Sequence, residues 1–202
     1  MKTSYIDPET VAAIHSHMGE ERWLALWVAS ETGLRVGDVV AIRLEDVKRS
    51  RLTYIAKKTG KQGSCSLPSS LSRAIEVKKS DLQGRSPWLF PSPRDPRKHI
   101  TRQAVWHRVK RACQKAGIDP QGIAPHSFRK YFAVELFKRE GMAVTQKALQ
   151  HDRASTTELY ALSDFTSGAN AALPLQRRDL PMIVEMVLQA LKGRAAPSKN
   201  PC

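Results

Sequence analysis

Cysteine is scarce in this sequence, and long apolar stretches are absent. The 202 residues include three Cys, at positions 65, 113 and 202, and no Cys-x-x-Cys pair. This odd number argues against a disulfide framework or a structural zinc site, and it predicts reduced thiols in a cytosolic setting. The apolar stretches are too short to span a bilayer, and the first residues lack the apolar region of a signal peptide. We therefore expect a soluble cytoplasmic protein that does not contact a membrane.

The histidines lack the spacing of common metal sites. None of the six His belongs to a His-x-x-x-His or His-x-x-Glu-His motif. Those motifs place two imidazoles on one helix face around zinc, so a zinc hydrolase is not predicted.

Acidic side chains are outnumbered by basic ones. The chain has 33 Lys plus Arg against 19 Asp plus Glu, a formal net charge of +14 and a pI near 10.1. Such an excess points to a polyanionic partner, and nucleic acid is the expected one. Between positions 94 and 115 a single acidic residue, Asp95, faces these basic residues: Arg94, Arg97, Lys98, Arg102, Arg108, Lys110, Arg111 and Lys115. A helix with this charge suits a DNA backbone, whereas a solvated basic face is the alternative interpretation.

Apolar periodicity predicts a mainly helical chain with one small antiparallel β-hairpin or sheet, an α+β fold. Asp7 and Pro8 are expected to open the first helix, Gly33 to end the second, and Thr101 to cap a helix running to about Ala116. Further helices are predicted over about 69–79, 126–139, 144–150 and 180–191, with a short one starting near 155. The tail, 193–202, is expected to be disordered.

The hairpin is predicted between residues 51 and 68. Residues 51–57 form the first strand, 59–63 the turn and 64–68 the return strand. Lys57, Lys58 and Lys61 lie at its tip. A basic tip is usually solvated, but a lysine on a hairpin also reaches a DNA phosphate or a leaving oxygen.

Two segments carry side chains that suit an anion. Arg35 follows an apolar helix at a turn, where its guanidinium offers two parallel hydrogen bonds to a phosphate or carboxylate. Asp38 either orients this arginine or caps the next helix. His126 and Arg129 share a face at a helix start just after Pro125, and that end also offers free backbone N–H groups.

The third segment ends in a tyrosine. Tyr160 lies nine residues after His151, on a short helix that Ser155 and Glu158 are expected to open as a capping box. Taken alone, this tyrosine is either a packing residue or a nucleophile.

Taken in order, these segments resemble the catalytic domain of the tyrosine recombinase, or phage integrase, family. The matching segments are Thr-Gly-Leu-Arg-Val-Gly-Asp-Val at 32–39, His-Ser-Phe-Arg at 126–129, Leu-Gln-His at 149–151 and Thr-Thr-Glu-Leu-Tyr at 156–160. The resemblance covers about residues 5–165. It implies a catalytic domain over residues 1–178, a C-terminal helix at 179–192 that docks on a neighbour or packs on its own domain, and then the tail. Because the first helix starts near residue 7, the N-terminal DNA-clamping domain of many members is expected to be absent.

The resemblance also implies a reaction. Site-specific recombinases of this family cut and rejoin DNA through a covalent 3′-phosphotyrosine, and Tyr160 stands at the position of the nucleophile. Arg35 and Arg129 would hold the nonbridging oxygens of the phosphate, and His126 would serve as general base. His151 would add a hydrogen bond. Neither a metal, a cofactor nor ATP is expected, because arginines replace the cation and the covalent link retains the bond energy.

The general acid is expected to be a hairpin lysine. Lys58, just before Thr59-Gly60, fits best by context, and Lys61 is the runner-up. Lys57 is expected to face the other side of the strand. Lys130 follows Arg129 where the family often has histidine.

The expected partner is double-stranded DNA, bound by a homotetramer on two sites from a protein that is a monomer or weak oligomer in solution. Accessory DNA-bending proteins and integration, excision or inversion all fit this resemblance. Beside the catalytic residues, the predicted DNA contacts are Lys57, Lys61, Arg97, Lys98, Arg102, Arg108, Lys110, Arg111 and Lys130. Two other functions use the same sequence features. A type IB topoisomerase shares the chemistry, and a catalytically silent DNA-binding regulator shares the charge.

Overall fold

A computed structural model of the protein describes residues 3–149, without the side chains of Glu20 and Glu21. This part of the chain contains seven α-helices and a small sheet. The helices are α1 (Pro8–Ser16), α2 (Glu20–Thr32), α3 (Val36–Val39), α4 (Ser69–Leu82), α5 (Arg102–Lys115), α6 (Pro125–Glu140) and α7 (Met142–Leu149). The strands are β1 (Val47–Lys48), β2 (Arg51–Ile55) and β3 (Gln62–Ser66), and a short 3-10 helix covers Leu44–Asp46.

The helix boundaries follow from local capping chemistry. The carboxylate of Asp7 accepts the N–H of Thr10 at 2.7 Å, and the hydroxyl of Thr101 accepts the N–H of Ala104 at 3.0 Å. Gly33 ends α2 in the left-handed conformation, with φ of 66°. These three predicted helix ends are confirmed, because each depends on residues within one turn of the boundary.

The sheet is antiparallel with strand order β1-β2-β3. Ile55 pairs with Gln62, so the hairpin turn comprises residues 56–61. The hairpin was predicted, but β2 ends two residues earlier than expected and β3 begins two residues earlier. The two-residue strand β1 was not predicted, because a pair of residues carries too little alternation to stand out.

One apolar core joins the helices to the sheet. Its fully buried members include Leu26 of α2, Leu52 of β2, Leu71 of α4 and Phe128 of α6. Phe128 lies between His126 and Arg129 in α6, so its burial fixes the rotation of that helix about its axis. The predicted mainly α fold with a small sheet is confirmed.

No helix among residues 3–149 combines the length and the apolar character needed to cross a membrane. The predicted helices near 155 and at 180–191, and the tail at 193–202, lie outside the described residues.

Candidate active site

Arg35 lies at the junction of two helices. It follows the left-handed Gly33 that ends α2, and it is the N-cap residue of α3. Its side chain is half-buried, and within residues 3–149 its guanidinium donates no hydrogen bond to the protein. The sequence placed Arg35 at a turn, but the four-residue helix α3 was not predicted. The charge of Arg35 acts on His126 in the first turn of α6, so this arginine lies near the start of that helix.

Arg129 is buried and anchored to the main chain at two points. Only 3% of its surface is exposed. Its Nη1 donates to the carbonyl oxygen of Gly33, and its Nη2 donates to the carbonyl oxygen of Leu149 at 2.9 Å. A guanidinium is planar, so these two bonds fix the plane in which its other N–H groups lie. Arg129 thereby connects the end of α2, the start of α6 and the end of α7.

Gly33 allows this approach. A Cβ atom at this position would lie 2.4 Å from Cδ1 of Phe132 and 2.9 Å from Cδ2 of Leu149. Since real Cβ contacts are longer than 3.0 Å, any side chain here would force the side chains of Phe132 and Leu149 to move. The glycine therefore serves both the left-handed helix end and the contact that brings its carbonyl to Arg129.

His126 is the second residue of α6 and is half-buried. Burial lowers its pKa to about 4, and the positive charges of Arg129, Lys130 and Arg35 contribute in the same direction. The imidazole is therefore neutral near pH 7 and offers one nitrogen as a proton acceptor. Arg35 acts on His126 across 91 residues of sequence. The matching segments at 32–39 and 126–129 therefore come together in space.

The carboxylate of Asp38 connects this region to the hairpin. Asp38 is 7% exposed, and its Oδ1 accepts the backbone N–H of Lys57 at 3.0 Å. Asp38, Tyr54 and Lys57 also line one cavity of about 380 Å³. The sequence predicted that Asp38 would orient Arg35 or cap a helix. The structure instead shows it holding the turn that carries the lysines.

The three hairpin lysines are all exposed and all lie in the turn, beyond the end of β2. The prediction that Lys57 lies within the strand and faces its other side was wrong, because β2 stops at Ile55. Lys58 directly follows Lys57, whose backbone N–H Asp38 accepts. Lys61 accepts the N–H of Ala56 at its carbonyl, 2.9 Å away, which closes the turn.

Tyr54 is a residue of this region that the sequence did not single out. It is half-buried on β2, and burial raises the pKa of its hydroxyl; Cys65 and Asp38 raise it as well, while the charge of Arg129 opposes them. These charges act on the hydroxyl only because the sheet packs close to Arg129 and Asp38. An alternating strand pattern predicts burial but not such a neighbourhood.

The predicted DNA contacts divide into two groups. Arg97 and Lys98 are exposed and pair with Asp95 at 3.2 and 3.7 Å. Arg111 is exposed on α5. Arg102 lies close to Gly37, with its Cδ 3.2 Å from where a Cβ of that glycine would be. Arg108 is half-buried on α5. Lys110 and Lys130 donate instead to the carbonyl oxygens of Pro120 and Thr3. The basic surface of α5 is thus real, but two of the predicted members have internal acceptors.

His151 and Tyr160 lie outside the described residues. The last described residue of α7, Leu149, is two positions before His151, and its carbonyl is the one that Arg129 binds. The helix α7, which leads to His151, is therefore fixed to Arg129 of α6.

Comparison with known proteins agrees with this geometry. The sequence profile of the phage integrase family matches residues 5–167. The tyrosine recombinase XerD of Yersinia pestis is 33% identical over 146 residues, which cover 67% of this chain and 47% of that protein. The chain thus spans about half the length of such relatives.

Solved structures share the fold. The crystal structure of XerA recombinase superposes with a TM-score of 0.68 at 20% identity, covering 98% of this chain and 68% of that one. A lambda integrase tetramer bound to a Holliday junction gives a TM-score of 0.67 at 21% identity, covering 79% of this chain and 48% of that one. The predicted resemblance is confirmed, and the chain belongs to the phage integrase family of tyrosine recombinases.

Proposed function

We propose that this protein is a site-specific DNA recombinase that cuts and rejoins DNA through a covalent 3′-phosphotyrosine at Tyr160. The observation that carries the proposal is the buried guanidinium of Arg129, held by two carbonyls and adjoining the neutral His126. A buried cation with a fixed donor plane suits an anion that binds in one orientation. A phosphodiester in DNA is such an anion.

The two arginines stabilise the charge that develops on the nonbridging oxygens. Arg35 contributes donors from α3 and Arg129 from α6, so the phosphate is held from two sides. The elements that carry them, α3 and α6, share one core with α2, which favours a fixed spacing between the two arginines. Preorganised charges of this kind replace a metal ion.

Proton transfer falls to His126 and a hairpin lysine. A neutral imidazole accepts the phenolic proton of Tyr160 as the oxygen attacks phosphorus, and a bound phosphate favours the resulting imidazolium. A lysine then protonates the departing 5′-oxygen. The sequence favours Lys58, while the fixed backbone of Lys57 makes that residue the structural candidate.

The proposed partner is double-stranded DNA bound by four protomers on two sites. The lambda integrase tetramer on a Holliday junction supports this assembly, since a related fold occupies each position. His151 would add a hydrogen bond to the phosphate, and Arg97, Lys98, Arg102, Arg108 and Arg111 would contact flanking phosphates. We also propose that the protein acts in the cytoplasm.

A covalent-adduct assay tests the reaction. Duplex DNA from the flanks of the gene, nicked next to the candidate cleavage position, traps the protein because the cut fragment diffuses away. We expect a protein–DNA band on a denaturing gel that Tyr160→Phe abolishes. Tyr54→Phe, a tyrosine change beside the arginines, is the matched control and should keep the band. An adduct that survives Tyr160→Phe refutes the nucleophile assignment, and relaxation of plasmids that lack any such site would indicate a topoisomerase.

A further inference from the structure

The loop that precedes α6, residues 117–124, is tied to two other parts of the chain. The ammonium group of Lys110, on α5, donates to the carbonyl oxygen of Pro120. The backbone N–H of Ser4 donates to the carbonyl oxygen of Gly122 at 2.9 Å. Gly122 has φ of 74°, a conformation that favours glycine, and a Cβ there would displace the hydroxyl of Ser4. Both ties lie within six residues of His126.

The N-terminal strap, residues 3–6, is itself fastened to α6. Lys130 donates from Nζ to the carbonyl oxygen of Thr3. Ile6, at the other end of the strap, is 4% exposed in the apolar core. Lys130 lies one helical turn after His126, on the same face of α6. The strap is therefore bonded both to the loop before His126 and to α6 one turn after it.

We propose that Lys110 and Lys130 are positioning residues that hold the loop and the strap and so set where α6 presents His126. Both side chains are half-buried, and each ammonium group has a main-chain carbonyl as an acceptor. Arg111, next to Lys110 on α5, is exposed by contrast. In the sequence, these two lysines look like the other predicted DNA contacts. Their main-chain acceptors distinguish them.

Lys130 has a second effect on the histidine. After burial, the charges that lower the pKa of His126 are Arg129 and Lys130 on α6 and Arg35 on α3. Removing the charge of Lys130 leaves two of the three, so the imidazole becomes easier to protonate. A purely structural lysine at a distance would not change this titration.

DNA affinity separates the two roles. The proteins compared are Lys110→Met, Lys130→Met and the control Arg111→Met, since methionine retains much of the aliphatic stem. For Arg111→Met we expect the slope of log Kd against log salt to shrink by about 1, as for one lost phosphate contact. The slope for the two lysine variants should equal that of the unmodified protein. A slope reduced by about 1 in a lysine variant would show that this lysine binds phosphate and would overturn the proposal for it.

The second readout does not require catalysis. The His126 ring is titrated by NMR in the whole protein, where the Lys130→Met variant should raise the pKa from about 4 toward 6.5. Lys130→Arg keeps both the charge and a donor for Thr3, so its titration should match the unmodified protein. An unchanged pKa in Lys130→Met, with a thermal melt showing a folded protein, refutes this electrostatic effect of Lys130 on His126.

The kinetic consequence rests on the proposed function. Single-turnover cleavage by Lys110→Met and Lys130→Met should slow roughly tenfold to a hundredfold, the range for a displaced catalytic group. Lys130→Arg should restore the rate. If the unmodified protein forms no adduct, the proposed function fails, yet the salt dependence of DNA affinity still shows whether either lysine binds phosphate instead of holding its carbonyl. If cleavage is unaffected in both folded variants, the positioning role fails while the proposed function stands.

Discussion

The carboxylate of Asp38 accepts the backbone N–H of Lys57 at 3.0 Å, although the two residues belong to different elements. Asp38 is in α3, three residues after Arg35, and Lys57 is in the hairpin turn. A hydrogen bond to a buried charge is among the stronger ones in proteins. It therefore keeps the lysine-bearing turn at a fixed distance from the helix that begins at Arg35.

Breaking this bond should lower both the stability of the protein and its rate of cleavage. Asp38→Ala is expected to lower the free energy of unfolding by about 2 kcal/mol, since a charge-assisted hydrogen bond is lost. It should also slow cleavage, because the turn is no longer held. Asp38→Asn keeps an acceptor oxygen and should retain most of both properties. Urea unfolding and single-turnover cleavage measure the effects. An Asp38→Ala protein as active as Asp38→Asn would show that the bond does not position the turn.

The leaving-group step identifies the general acid. A substrate with sulfur in place of the 5′-bridging oxygen releases a thiolate, which needs no proton because its pKa is near 8.5. We expect Lys57→Ala to cut the ordinary substrate slowly and the sulfur substrate at nearly the normal rate. Lys58→Ala and Lys61→Ala should cut both alike.

Arg35→Ala is the control for this experiment. It should be slow on both substrates, because charge on the nonbridging oxygens develops with either leaving group. Rescue of Lys58→Ala instead of Lys57→Ala would confirm the sequence-based choice and contradict the structural one.

Gly33→Ala should be strongly destabilising. The backbone cost of a left-handed alanine is about 1–2 kcal/mol, and the overlap with Phe132 adds about 1–3 kcal/mol. Gly84→Ala is a matched control, because Gly84 has φ of 73° and no atom within 4 Å of its would-be Cβ. The difference in unfolding free energy between the two variants isolates the packing contribution. Equal losses would mean that the side chains of Phe132 and Leu149 move aside at little cost.

The depressed pKa of His126 makes stability depend on pH. The unfolded chain binds this proton near pH 6.5 and the folded chain near pH 4, so the unfolded state holds more protons between them. Stability should therefore fall as pH is lowered through that window, by roughly 1–3 kcal/mol after allowance for solvent screening. Relative to the unmodified protein, His126→Gln should be less sensitive to acid.

Chemical unfolding at pH 7, 6, 5 and 4 measures this dependence. His107→Gln, which replaces an exposed histidine of α5, is the control. The difference between the His126→Gln and His107→Gln curves cancels the contribution of the other titrating groups. Parallel curves for His126→Gln and the unmodified protein would contradict the depressed pKa.

The sequence predicted features that depend on neighbouring residues. The caps at Asp7 and Thr101 and the stop at Gly33 each involve a contact within one turn, so local composition determines them. The segments that resemble the family pointed to Arg35, His126 and Arg129, because their order and spacing form a pattern along the chain. The paired carbonyls of Arg129 were invisible, since Gly33 and Leu149 contribute main-chain atoms that any residue type possesses.

Charge was the weakest guide to individual roles. A run of basic residues predicted the positive face of α5, and exposed members such as Arg111 agree with it. Lys110 looks identical in the sequence, but its flexible stem lets the ammonium reach the carbonyl of Pro120. Which acceptor a lysine finds depends on loops that pack from elsewhere, and no local pattern records that choice. The same holds for Asp38, whose acceptor role needs a turn 19 residues away.

The attachment of Arg129 to two carbonyls also bears on how this chain tolerates mutation. An acceptor supplied by the main chain survives every substitution at its own position that preserves the path of the backbone. Errors at the residue 149 side chain would thus leave this half of the anchor intact, whereas a shift of the α7 backbone would remove it. The fixed position of Arg129 consequently depends on the correct assembly of three distant segments. A misfolded or partly folded molecule would lack the fixed guanidinium, on which the proposed cleavage of DNA depends.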